Sequence, residues 1–203
     1  MKRLLSTPIF TRIFLTMNEF QITPGSIAGV RVWNNKVFED KRGSLSKAYV
    51  ANSDDFGGLE FNTVEHFFTT SNLNVFRGMH LQSGEHPSNK IVSLVSGSAT
   101  DFLLDLRTNS STFGFLQIEK LDESTPKSIY IPEGIAHGYI STSNNTVISY
   151  RYDVKFCQYC DSGINPIVVS NFFDCGLDDL IISLRDSELT VELEEAIHNR
   201  VHR

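Results

Sequence analysis

The stretch Ile91-Val92-Ser93-Leu94-Val95-Ser96-Gly97-Ser98-Ala99-Thr100-Asp101-Phe102-Leu103-Leu104-Asp105-Leu106 decides how this chain folds. It holds two runs rich in apolar residues, 91–95 and 98–106, separated by Ser96 and Gly97. Short runs of branched and aromatic residues on either side of a turn predict two strands. The pattern repeats outward. Runs at 29–33, 45–51, 63–69, 113–120, 128–131 and 146–152 are equally short and are bounded by Gly, Asn, Ser, Asp or Pro. No long window between Phe20 and Tyr152 carries the apolar spacing of a helix. Short strands at this spacing predict an all-β sandwich or barrel and disfavour an α/β fold.

Two stretches read as bends around something enclosed. One is Arg77-Gly78-Met79-His80; the other is Ile131-Pro132-Glu133-Gly134, leading into Ala136-His137-Gly138-Tyr139. Glycine lets the backbone turn sharply or approach a ligand closely. Within 98–106, Asp101 and Asp105 share one strand face, because strand side chains alternate. Inward carboxylates are costly unless paired with a cation, so both are expected to partner His or Arg. Beyond Asp178 the character changes: Leu189, Leu193 and Ile197 recur at four-residue steps, which predicts a short amphipathic helix over 187–198.

Composition narrows the function. Hydrophobic residues make up 40% of the 203 residues and charged residues 21%, which excludes a disordered chain. Eighteen Lys and Arg against 24 Asp and Glu leave a net charge of −6, which argues against nucleic acid as a partner. No apolar run is long enough for a membrane span. Residues 1–18 read as a loose extension, because Pro8, Thr11 and Arg12 interrupt what would be the apolar part of a signal peptide. Residues 19–203 read as one domain. The cysteines Cys157, Cys160 and Cys175 are too few and too uneven for a disulfide framework. Cys157 and Cys160 have half the spacing of a zinc site, without a second pair to complete it. The expectation is free thiols in a cytoplasmic protein that holds no metal.

Several titratable residues suit chemistry. His80 lies two residues after Gly78 and shares its neighbourhood with Arg77 and Lys90. His137 follows a Pro-x-Gly turn. Arg42, Arg77, Lys90 and Arg107 would form an anion site, suited to a diphosphate, if they converged inside a barrel.

The order of these pieces is more specific than any one of them. From about Val30 to Asp186 the chain resembles the nucleotide-sugar 3,5-epimerase family, through Val37-Phe38-Glu39-Asp40-Lys41-Arg42-Gly43, Asn74-Val75-Phe76-Arg77-Gly78-Met79-His80-Leu81-Gln82, Lys90, Asp101 to Arg107, Ser111-Thr112-Phe113-Gly114, Ile131 to Gly138 and Tyr150. The resemblance implies a cupin jelly roll with a short C-terminal helical segment, a homodimer, and no cofactor. It also implies a nucleoside-diphospho-4-keto-6-deoxy sugar as substrate, inverted at C3, C5 or both, in deoxysugar and surface-glycan biosynthesis. His80 would be the base, Asp186 its carboxylate partner, Tyr150 the acid and Lys90 the stabiliser of enolate charge. Arg42 and Arg77 would hold the diphosphate and His137 would line the sugar pocket. Asp161 and Arg185 would add polar contacts.

The nucleobase end departs from the family's pattern. Lys47 stands where the family commonly has a glutamate, Glu65-His66-Phe67 replaces Q-x-N, and Phe156 replaces a stacking tyrosine. Gly163-Ile164-Asn165-Pro166-Ile167 stands in place of W-N-D. A dTDP-sugar is the first expectation. A lysine at 47 and a carboxylate at 65 would suit cytosine, which makes a CDP-sugar the alternative. The competing functions are a non-catalytic nucleotide-sugar-binding cupin and a sugar-nucleotide 3,4-ketoisomerase. Leu81-Gln82 after His80, where a second histidine would be needed, disfavours the latter.

Overall fold

The structure, a computed structural model, describes residues 23–190. Thirteen strands are described: β1 (Thr23–Pro24), β2 (Arg31–Asn34), β3 (Lys36–Asp40), β4 (Gly43–Lys47), β5 (Glu65–Ser71), β6 (Phe76–Gln82), β7 (Lys90–Ser96), β8 (Ser98–Asp105), β9 (Phe115–Asp122), β10 (Lys127–Ile131), β11 (Ile135–Ser141), β12 (Thr146–Tyr152) and β13 (Asp161–Gly163). One sheet runs β1-β9-β8-β11-β6-β13 and a second runs β2-β10-β7-β12-β5. The hairpin β3-β4 stands apart from both. This is the expected all-β jelly roll, with neighbours in a sheet mostly distant in sequence.

Alternation along β8 explains the layering. Ala99 and Leu103 face the other sheet and pack with Val92, Leu94, Ile129, Ile131 and Ile148. Phe102 and Leu104 face the opposite way and pack with Phe76, Leu81, Ala136 and Ile140. That outer face is covered by the chain after β13, through Val168, Val169, Phe172, Phe173, Leu180 and Ile182. β8 is therefore buried on both faces, its carboxylates Asp101 and Asp105 included. Truncating Leu103 to alanine in such a place costs about 2–5 kcal/mol. The outer face of the second sheet is covered by Trp33, Phe56, Leu59 and Phe61 around Ile91.

The strands expected at 63–69, 91–95, 98–106, 128–131 and 146–152 are found with small shifts at their ends. Three readings need correction. The bend expected at Ile131–Gly134 is found, as the turn between β10 and β11, but Arg77–His80 is not a bend, and Ala136–Tyr139 beyond that turn is strand. They belong to β6 and β11, paired strands of the six-stranded sheet, with a register shift between His137 and Tyr139. Their glycines serve close approach: Gly78 has φ +128°, and a Cβ there would lie 2.4 Å from the Gly138 Cα. The strand expected at 45–51 ends at Lys47, because Tyr49 turns away and its hydroxyl joins Leu59 and Phe61. Cys157 and Cys160 are not free thiols but a disulfide; Cys175 is free. The Cys160 N–H donates to the Cys157 carbonyl at 3.0 Å, and this turn brings the two Cα atoms to 5.2 Å.

The extension at 1–18 and most of the helix expected over 187–198 lie outside the described residues. The described α-helix, α1 (Leu184–Ser187), ends at Ser187, where the expected one begins, and residues 188–190 are not helical. Among the described residues no helix is long and apolar enough to cross a membrane.

Candidate active site

Between the two sheets opens a cavity of about 450 Å³, walled in part by Arg77, His80, Lys90, His137, Tyr150 and Asp186. A second lobe of about 350 Å³ shares Phe67, His80, Tyr152 and Arg185 with it and adds Glu65, Phe156 and Asp161. The two make one cleft with an inner end and a mouth.

Sheet pairing sets the inner end. β6 carries Arg77 and His80, with His80 opposite His137 on one side and Gly163 on the other. β12 carries Tyr150 opposite Phe67, and Tyr152 opposite Lys90. His80 and Tyr150 therefore stand on different sheets and face the same space.

The C-terminal segment delivers the partner of His80. It bridges Val75 through Ile181, and the Ser183 side chain caps α1 by accepting from the Asp186 N–H. Asp186 Oδ1 then lies 2.8 Å from His80 Nε2, and its Oδ2 accepts from the Gly78 N–H at 3.2 Å. A carboxylate only accepts here, so Nε2 carries the proton and Nδ1 holds the lone pair. Burial opposes the charge on Asp186. The His80 contact, the Gly78 N–H and Ser183 outweigh it and hold the carboxyl below its ordinary value.

Lys90 is buried, with its ammonium donating to the His80 carbonyl at 3.2 Å and lying 5.5 Å from the centre of the Tyr152 ring. Desolvation brings it down to about 8, against the pull of Asp101 and Asp161. Burial raises the Tyr150 hydroxyl well above its ordinary value, so it holds its proton throughout the neutral range. The Tyr150 ring is stacked on Phe67 at 5.1 Å between centroids. A second histidine pair lies behind them. His137 Nε2 sits 2.9 Å from Asp101 Oδ2, and burial pushes His137 down and Asp101 up.

Every expected catalytic residue reaches the cavity: His80, Lys90, Tyr150 and Asp186. Arg77 and His137 line its inner end; Glu65, Phe156 and Asp161 line its mouth, and Phe67 and Arg185 touch both. Asp101 and Asp105 find the partners expected of inward carboxylates, His137 and Arg107. Arg42 and Lys47 do not reach the cleft of their own chain. They ride the exposed β3-β4 hairpin, where Arg42 pairs with Asp40 and Lys47 lies 5.8 Å from the Phe38 ring centre. Of the four cations expected to converge, only Arg77 and Lys90 do. The argument for cytosine also weakens, since Glu65 Oε2 accepts from the Phe156 N–H at 2.6 Å and is used to shape the mouth.

Tyr152 is the residue that the sequence reading missed. It stacks on Phe67 and lies over Lys90. The signal was present, because Tyr152 follows Tyr150 by two positions and a strand puts such residues on one face.

This geometry has relatives. The sequence model described as dTDP-4-dehydrorhamnose 3,5-epimerase matches residues 24–193. A protein of that name from Methanothermobacter thermautotrophicus is 31% identical over 173 residues, covering 84% of this chain and 93% of its own. One from Salmonella typhimurium is 32% identical over 127 residues, covering 62% and 69%. The crystal structure of the enzyme of that name from Elizabethkingia anophelis superposes with a TM-score of 0.74 at 27% identity, over 87% of this chain and 98% of that one. A 4-keto-6-deoxy sugar epimerase from the novobiocin gene cluster of Streptomyces spheroides gives 0.76 at 25%, over 87% and 88%. The pairing of His80 with Asp186, the order of the strands and these likenesses together mean that the chain belongs to the dTDP-4-dehydrorhamnose 3,5-epimerase family.

Proposed function

We propose that the protein is an isomerase that epimerises a dTDP-4-keto-6-deoxy sugar at the carbons flanking its ketone. The ketone acidifies the hydrogens on both neighbours. Inversion needs a base on one face of the ring and an acid on the other. The observation that carries this reading is that His80 and Tyr150 belong to opposite sheets and line one cavity. His80 Nδ1 takes the proton, and Asp186 stabilises the imidazolium that results. The Lys90 ammonium offsets the negative charge that develops on the ketone oxygen. Tyr150 returns a proton from the far side. Arg77, fixed by Ser71 at 3.0 Å, faces the diphosphate, and Phe156 offers its ring to the base at the mouth.

Arg42 and Lys47 fit the same reading if the enzyme works as a homodimer. The hairpin that carries them also exposes Phe38 and Leu45, each 54% accessible, an apolar pair suited to contact with a second copy. In that assembly the hairpin lies across the partner's cleft and brings both cations to the nucleotide. A nucleotide-activated substrate fits a cytoplasmic enzyme.

The test is proton NMR of dTDP-4-keto-6-deoxyglucose with the protein in D₂O. The reading expects deuterium at the carbons beside the ketone together with inverted products. Binding without any exchange would leave a nucleotide-sugar-binding protein instead.

A further inference from the structure

The Cys157–Cys160 disulfide has no place in the chemistry above, yet it closes the loop that builds the mouth of the cleft. Its neighbours in sequence on either side, Phe156 and Asp161, both line that mouth. The loop is otherwise held by polar contacts: Asp153 on Asn89, the Lys155 carbonyl and the Cys157 N–H on Gln82, and the Phe156 N–H on Glu65. Asp161 in turn pairs with Arg185, next to the catalytic Asp186. The two cysteines differ in exposure. Cys160 is 6% exposed, whereas Cys157 is partly exposed beside Tyr159, which is 86% exposed at the loop tip.

We propose that Cys157 and Cys160 form a dithiol–disulfide modification site that sets how tightly the cleft holds its nucleotide. The inference rests on the epimerase reading and concerns the same cleft. A small dithiol supplies the two electrons. Its thiolate attacks the sulfur of Cys157, the more exposed of the two residues, the bond to Cys160 breaks, and Cys160 leaves as a thiolate that takes up a proton. The second thiol of the reductant then attacks the mixed disulfide, releases Cys157 as a thiol and departs as its own cyclic disulfide. Oxidised glutathione reverses the change, receiving the electrons as two molecules of reduced glutathione. With the ring open, Phe156 loses its covalent tie to the end of the loop, where Asp161 begins β13 and is held opposite Gln82 of β6. Nucleotide binding therefore loosens, while His80, Lys90 and Tyr150, which sit on sheet strands, keep their places.

The experiment is calorimetric titration of dTDP into the full-length protein in three states: oxidised with glutathione disulfide, reduced with dithiothreitol, and as the Cys157→Ser, Cys160→Ser double variant. Thiols are counted in denaturant for each. The expected counts are one for the oxidised protein and three for the reduced, from the three cysteines of the chain. The Kd for dTDP is expected to rise about fivefold on reduction, to match in the double variant, and to return on reoxidation. Equal Kd values in the oxidised and reduced states overturn this inference alone. Three free thiols after glutathione disulfide treatment overturn it as well. Absence of dTDP binding in both states overturns the epimerase reading and takes this inference with it.

Discussion

Two histidine–carboxylate pairs stand within one cavity wall, and they are built for different work. In the first, His80 is 28% exposed at its side chain and Asp186 6%. In the second, His137 is 4% exposed and Asp101 is fully buried. The bond lengths are nearly the same, 2.8 and 2.9 Å. What differs is the environment. Asp186 comes from the C-terminal segment and gathers donors that keep it ionised, so it is ready to support a charged His80. Asp101 lies on the central strand β8, where burial raises its carboxyl and lowers its histidine. The first pair opens onto the cavity and, in the proposed mechanism, faces the substrate. The second is a buried brace that shapes the pocket. A histidine near a carboxylate is thus not evidence of a catalytic base until exposure and the carboxylate's other partners are known.

That contrast can be broken by mutation. Replacing His80 with alanine should lower kcat by roughly 10³-fold, within the range of a lost general base, while the fold survives. Steady-state kinetics with circular dichroism checks both halves. His137→Ala should act mainly on stability instead. It leaves Asp101 buried without its partner, and losses of about 3–5 kcal/mol accompany such broken pairs. Urea unfolding reads this directly, and an unchanged midpoint would remove the brace from the account. A smaller effect concerns pH. Lys90 is charged below about 8 and neutral above it, so kcat should fall as pH rises through about 8. A flat alkaline profile would mean that the ammonium is not needed at the ketone. The smallest effect is at the mouth. Phe156→Ala should raise KM by about fivefold with kcat little changed, the lower end of what base stacking contributes.

Much of this was legible in the residues. The strand at β8, bounded by Gly97 and rich in apolar residues, and the chain order of His80, Lys90 and Tyr150 follow from the sequence pattern. The glycine-rich segments were harder. Gly78 and Gly138 look like turn residues in sequence, but their role is to let β6 and β11 approach, which depends on a partner 60 residues away. The cysteine pair was misread because the count argued against a framework, whereas the turn at 157–160 is what joins them. The pairing also removes the thiols as an argument for a reducing compartment. Arg42 matches the family's motif and Lys47 departs from it, yet one chain alone leaves both outside its cleft. A motif records which residues a site uses and not which copy of the chain supplies them.

The central claim is that base and acid approach the sugar from opposite sheets. The most direct test compares His80→Ala and Tyr150→Phe in D₂O by proton NMR on dTDP-4-keto-6-deoxyglucose. Tyr150→Phe is expected still to exchange ring hydrogen for deuterium through His80 but to return the starting configuration, and His80→Ala to do neither. Loss of exchange in Tyr150→Phe, or inversion that persists in it, would contradict the division of labour between the two sheets.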